Sequence, residues 1–284
     1  MDLKDILVHV DDARGHDSRL RIACELARRN GAHLTGVFVI DWVSVAALAA
    51  PAGADVAQIE AFQIIQEQHR AARLAVASRL AAAFKSAADA AGIVSEWRLV
   101  EGDIAELVTL NARYADLAIV GQTDPDYPGV SAPVPESALL GSGRPLLVVP
   151  YIGKFETVGR RALVAWKASR EASRAVNDAL PLLQDADVVT VLRVNPARDA
   201  AGAGEVPAAD IAHHLARHGV KAEAAYTVAE DIGVGDALLS RAADLGSDLL
   251  VMGGYGHSRL REFALGGATR TVLRHMTVPV LMSH

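Results

Sequence analysis

Short apolar runs recur along this chain, separated by amphipathic stretches, and the order in which they occur is repeated once. Ile6-Leu7-Val8-His9-Val10-Asp11 returns in character as Ala162-Leu163-Val164-Ala165-Trp166-Lys167. Each run leads into a stretch with small residues four apart, Ala23 and Ala27 in the first copy and Ala175 and Ala179 in the second, which is the spacing of one helix face. Buried-looking strands follow over residues 34–40 and 188–194, the second ending on Val194. Gly102-Asp103 and Gly235-Asp236 then each open a helix, with the aspartate set to cap or complement its N-terminus. These helices feed the runs 115–121 and 247–253, and each copy closes on a proline-led strand, residues 145–149 and 279–282. A proline's missing N–H is tolerated at that first position.

Continuous apolar strands alternating with helices predict crossover units, a mostly parallel sheet and helices on both faces. The fold class is therefore α/β, with two doubly wound, mostly parallel-sheet domains over residues 1–150 and 160–284, joined by a short polar segment at 151–159. Copy one carries an insertion at residues 42–55, rich in Ala, Pro and Gly, that leads into a long alanine-rich helix over 56–91. Its small apolar residues carry no chemistry, so it reads as a surface excursion rather than a lid.

The length of 284 residues suits two domains, each with its own core. A net charge of −6, with 22% charged residues, lacks the basic footprint of a nucleic-acid binder, and no nucleic-acid partner is expected. No apolar run approaches the roughly 18 residues of a membrane span, and the acidic start Met1-Asp2-Leu3-Lys4-Asp5 is unlike a secretory signal. The expectation is a soluble cytoplasmic protein with no membrane partner. The one cysteine, Cys24, falls in the helical pattern Leu20, Ala23, Cys24, Ala27 and suits a reducing compartment.

The candidate chemistry lies after Leu249-Leu250-Val251-Met252, where Gly253, Gly256 and Gly266 stand at G-x2-G-x9-G spacing. A strand that breaks into glycines and re-enters a helix brings bare N–H groups against a helix N-terminus, where partial positive charge suits a phosphate. Glycines that merely shape a long turn would give the same spacing. P-loop, dinucleotide-fold and nucleophile-elbow motifs are all missing, and no nucleophile has an obvious base beside it, so no catalytic residue is assigned. His214 and His218 stand four apart on a helix with His213 adjacent, but no carboxylate or cysteine neighbours them at ligand spacing, and no metal site is assigned. His9, on a central strand, reads as a core group. His257 reads equally as a ligand to an anion or as a solvent-facing loop residue. Arg259, Arg261 and Arg270 follow the same loop, Arg259 nearest the glycines, and Trp166 reads first as a core or interface residue.

The repeat, the strand order and the loop Val251-Met252-Gly253-Gly254-Tyr255-Gly256-His257-Ser258-Arg259, with Gly266-Gly267-Ala268-Thr269-Arg270 and Val278-Pro279-Val280-Leu281, resemble a tandem universal stress protein over nearly the whole length. That family has the adenine nucleotide alpha hydrolase-like fold. The resemblance implies ATP or another adenine nucleotide in the second copy only, across the carboxyl ends of its strands. The implied contacts are Trp166, Lys167, Val194, Met252, Gly253, Gly256, His257, Arg259, Gly266, Gly267, Ala268 and Thr269. It also implies that the closing strands pack the two domains as an intramolecular pseudo-dimer, and that chains associate as a homodimer.

The sequence departs from the family pattern in both copies. Gly267 stands where nucleotide binders have Ser or Thr, with Thr269 the nearest replacement hydroxyl. Lys167 stands where they have an Asp that accepts from the adenine amino group, and a lysine offers only donors. Copy one keeps Asp11 but has Asp124 at the second glycine's place, within Gly121-Gln122-Thr123-Asp124-Pro125-Asp126, so no triphosphate is expected there. The implied function is regulatory nucleotide binding with at most slow ATP hydrolysis. The alternative is a stress-response interaction module that binds no nucleotide and acts through dimerisation and partner contacts.

Overall fold

The computed structural model describes residues 2–42, 56–126, 133–196, 208–255 and 267–284. The first half runs β1 (Asp5–His9), α1 (His16–Asn30), β2 (His33–Ile40), α2 (Val56–Ala90), β3 (Ser95–Glu101), α3 (Ile104–Ala112), β4 (Leu117–Gly121), α4 (Val134–Gly141) and β5 (Leu146–Val149). The second half repeats this order as β6 (Arg161–Ala165), α5 (Arg170–Leu183), β7 (Val188–Val194), α6 (Ala209–Arg217), β8 (Ala222–Thr227), α7 (Val234–Asp244), β9 (Leu249–Gly253), α8 (Gly267–His275) and β10 (Val280–Ser283). The nine-residue α6 stands where the first half has the 35-residue α2.

The strands form one sheet in the order β3-β2-β1-β4-β5-β10-β9-β6-β7-β8. Pairing within each half is parallel. The halves join where β5 and β10 run antiparallel, with Val280 opposite Val148, Leu281 opposite Leu147 and Met282 opposite Leu146. Alternation along the strands sends Ile6 and Val8 to one face, packed under α1, α2, α5 and α6, and Leu7 to the other, packed under α3, α4, α7 and α8. Two apolar layers therefore run across both halves.

Asp103 caps α3, its carboxylate accepting from the Glu106 N–H at 2.8 Å. In the second half α7 begins earlier than the Gly-Asp pair suggests, at Val234 with Gly233 as its cap, so Asp236 sits inside the first turn and complements the dipole. On α2 the buried positions Ala77, Leu80, Phe84 and Ala88 follow one helix face. Upstream, the helix is tied to carboxylates at or just beyond the strand ends: Arg73 to Asp12 at 2.9 Å, His69 to Asp41 at 3.3 Å and Arg70 to Glu101 at 2.7 Å. Apart from Trp42, the insertion 42–55 lies outside the described residues. Among those residues no helix is long and apolar enough to cross a membrane. Chain order reverses between β1 and β4 and again between β6 and β9, which sets a crevice at the carboxyl ends of each pair.

Candidate functional site

In the second half, β6 continues into Trp166, whose N–H donates to Leu192 O at 2.8 Å and whose half-buried ring packs on the α5 and α6 layer. Lys167 beyond it is exposed. Val194, at the end of β7, packs on the opposite layer, where Met252 is a buried core residue. Ser169 caps α5 by accepting from the Ala172 N–H at 3.3 Å. That first turn presses on the end of β9, for a Cβ at Gly253 would lie 2.6 Å from both Ala172 N and Glu171 C.

The next glycine is confined from the other half. A Cβ at Gly254 would lie 2.6 Å from Leu139 Cδ2 on α4, and the Gly254 N–H is engaged with Ser283 O at 2.8 Å. Tyr255, at φ 57°, donates its N–H to Thr269 Oγ1 at 3.3 Å in the first turn of α8. The Thr269 side chain is buried, and its hydroxyl, accepting the Tyr255 N–H, braces this turn. Gly267 is exposed, and a Cβ there would meet none of the described residues within 4 Å. Ala268 is half-buried beside it. Gly256, His257, Arg259, Arg261 and Gly266 lie outside the described residues. The structure thus brings the end of β9 and the head of α8 together, with Trp166 and Lys167 at the end of β6 two strands from β10.

The corresponding crevice of the first half is filled from within. Asp11, which stands where the family's nucleotide binders have a base-accepting Asp, accepts from Arg19 Nη2 at 2.5 Å and from the Ala13 N–H at 3.1 Å, with His9 Nδ1 3.7 Å from its other oxygen. Arg19 is only 2% exposed, and a Cβ at Gly121 would lie 1.9 Å from its Nη1. Over this pair Arg14 grips Asp124 through Nε at 2.5 Å and Nη2 at 2.6 Å, reaches Asp126 at 3.2 Å and stacks on the Tyr151 ring at 5.2 Å. Asp124 is therefore paired and not a bare repulsive charge, and its carboxyl lies below the usual range through the hydrogen bond from Arg14. The remaining cavity, lined by His9, Asp11, Arg19, Gln122 and Asp124 among others, measures about 30 Å³. That is room for about one or two waters, whereas small-molecule pockets run to roughly 300 Å³ or more.

Burial lowers the His9 pKa from 6.5 to about 4, the Asp11 charge opposing and the Arg19 charge assisting. Asp11 is pushed up by its burial, but the charges of Arg19 and His9 and the hydrogen bonds it accepts leave it below the usual carboxylate value. Because the folded pKa of His9 lies under its unfolded value, the unfolded chain takes the proton first. The stabilisation is complete above pH 6.5 and is lost as pH falls towards 4, by roughly 3 kcal/mol. The depressed Asp11 gives stability present above its ordinary 3.8 and lost below it, outside that window. Urea midpoints measured between pH 7 and 4.5 should fall for the protein and fall less for His9→Gln.

A family model described as the universal stress protein family matches residues 3–150 and, a second time, residues 159–284. The chain belongs to the universal stress protein family. It carries two such units in tandem, and its fold agrees with those of other members. The universal stress protein of Archaeoglobus fulgidus superposes with a TM-score of 0.72 at 16% identity, over 98% of this chain and 97% of that one. A functionally unknown protein of Pseudomonas aeruginosa gives a TM-score of 0.59 at 15% identity, over 99% and 92%. A universal stress protein of Synechocystis sp. is 44% identical over 46 residues, and the match spans 16% of either chain. At these structural identities the likeness speaks for the fold.

Several residues that shape the two universal stress protein crevices escape the motif. Arg19 stands four residues before Ala23, on the apolar stripe of α1, and a charge on that stripe eight residues after Asp11 is the signal of a buried pair. Glu171 occupies the matching place in the second half, four residues before Ala175, opposite in sign as Lys167 is to Asp11. Arg14 and Leu139 have no comparable signal, because their partners are distant in sequence.

Proposed function

We propose that the second half of this universal stress protein binds ATP or a related adenine nucleotide in a regulatory role, without fast turnover, and that the first half does not. The observation that carries this reading is the meeting of the end of β9 with the N-terminus of α8 at the strand-order reversal, where Gly267 is exposed and a Cβ on it would meet none of the described residues within 4 Å. The first amides of a helix have no partner within it and carry partial positive charge, which suits a phosphate. Lys167, exposed at the end of β6, adds a cation to the same edge. The implied contact set is the one named from the sequence, Trp166 to Thr269. A reducing cytoplasm suits the buried thiol of Cys24.

A second reading, an interaction module without a ligand, draws support from Gly253 and Gly254, since close packing alone accounts for both. Under either reading a homodimer needs a surface other than β5 and β10, which already pair with each other. Equilibrium dialysis with labelled ATP separates the two. The expected outcome is saturation at one site per chain, abolished when Gly256 and Gly266 are replaced by bulky residues. No uptake at millimolar ATP would favour the interaction module.

A further inference from the structure

Gln122 and Gly254 are equivalent positions of the repeat, each one residue beyond the glycine that ends its strand. Their backbones behave alike, Gln122 N–H donating to Val149 O and Gly254 N–H to Ser283 O, both at 2.8 Å. Their surroundings differ. At Gly254 there is no side chain, and α4 of the other half sits hard against the backbone through Leu139. At Gln122 a buried carboxamide crosses to the other half, where Nε2 donates to Leu273 O at 2.9 Å and to Arg274 O at 3.0 Å. Its Oε1 accepts from the Tyr151 N–H at 3.4 Å, which fixes the orientation of the amide.

Leu273 and Arg274 belong to the last turn of α8, whose carbonyls have no acceptor role within the helix. The second half thus has one of its helices capped by a side chain of the first. Both helices are packed on the core, α8 through Val272 and Leu273 and closely on α7 at Gly235, but their ties to the other half differ: α4 meets the bare backbone at Gly254, whereas the last turn of α8 is held across the seam by two hydrogen bonds from a glutamine side chain. The other end of α8 is Gly267 to Thr269, where Thr269 Oγ1 holds the Tyr255 amide. A nine-residue helix is a rod of about 13 Å, so its two ends move together.

We propose that Gln122 is a positioning residue for the second-half site. By holding the two terminal carbonyls of α8, the first half sets the helix's N-terminal turn against the end of β9, and the second-half site is complete only with the first half docked upon it. The inference about α8 stands on the geometry alone, while its consequence for a ligand rests on the nucleotide reading above.

The test uses the full chain with Gln122→Met, which keeps the volume and removes the donors, and Gln122→Glu, which turns a carboxylate towards the two carbonyl oxygens. In the absence of nucleotide, amides of α8 and Tyr255 should exchange about tenfold faster in Gln122→Met, with those of α6 and β7 unchanged. Gln122→Glu should exceed that effect. ATP binding by dialysis should weaken about tenfold in step with the exchange, as expected when the bound pose of α8 must be formed from a looser ensemble. Unchanged exchange in α8, or faster exchange spread evenly over the second half, overturns the positioning role. Faster exchange in α8 with ATP affinity unaltered overturns its link to the site. If the unmodified protein takes up no ATP, the nucleotide reading fails by itself, and the exchange measurement still decides whether Gln122 positions α8.

Discussion

Replacing Gly253 by alanine should destabilise the protein by roughly 3 kcal/mol, the upper end of overpacking costs, and lower its melting temperature by about 6–12 °C. The added Cβ would meet Ala172 N and Glu171 C at 2.6 Å. Both are backbone atoms of the first turn of α5, so no rotamer change relieves the clash, and the turn capped by Ser169 must move away from β9. The effect belongs to position and not to glycine as such. Gly267→Ala, where a Cβ meets none of the described residues within 4 Å, should stay within about 0.5 kcal/mol of the parent protein. Urea denaturation of the two variants side by side checks both values, and a parent-like Gly253→Ala would mean that α5 is not seated as described.

The second large effect lies in the first half. Arg19→Met should cost about 3–5 kcal/mol, because it leaves the Asp11 carboxylate buried without its partner. Adding Asp11→Asn should recover at least half of that loss, since a neutral pair of similar size carries no stranded charge. Recovery in the double variant distinguishes a charge effect from lost packing of the long arginine stem, and no recovery would assign the loss to packing. Neither variant should open a nucleotide site, because Arg14 and Asp124 still close the cavity from above.

Most of the architecture was legible because it rests on burial. Runs such as 117–120 and 249–252 are apolar throughout, as strands covered on both faces must be, and the repeated order sets their places in the sheet. The edges and ends were less legible. Asp236 reads as a helix opener from its place after Gly235, yet the helix begins at Val234, since the preceding Gly233 already serves as the cap. The glycines of the loop were legible as a motif, but the motif does not say which of them answer to neighbours: Gly253 faces α5 and Gly254 faces α4 of the other half. Asp11 likewise reads as a match to the family's base-accepting Asp, and only the fold shows that Arg19, eight residues on, occupies it. Contacts such as Gln122 with α8 join residues more than 150 apart in the chain and leave no local trace.

The proposed function requires the two halves to be inequivalent: the first-half crevice is built shut by side chains, and the nucleotide proposed for this protein sits at the head of α8. Native mass spectrometry of the intact chain titrated with ATP measures this directly. A single nucleotide adduct per chain that saturates is the predicted result, and it should persist in His9→Gln, whose substitution touches only the closed crevice. Two adducts per chain, or none up to millimolar ATP, would contradict it.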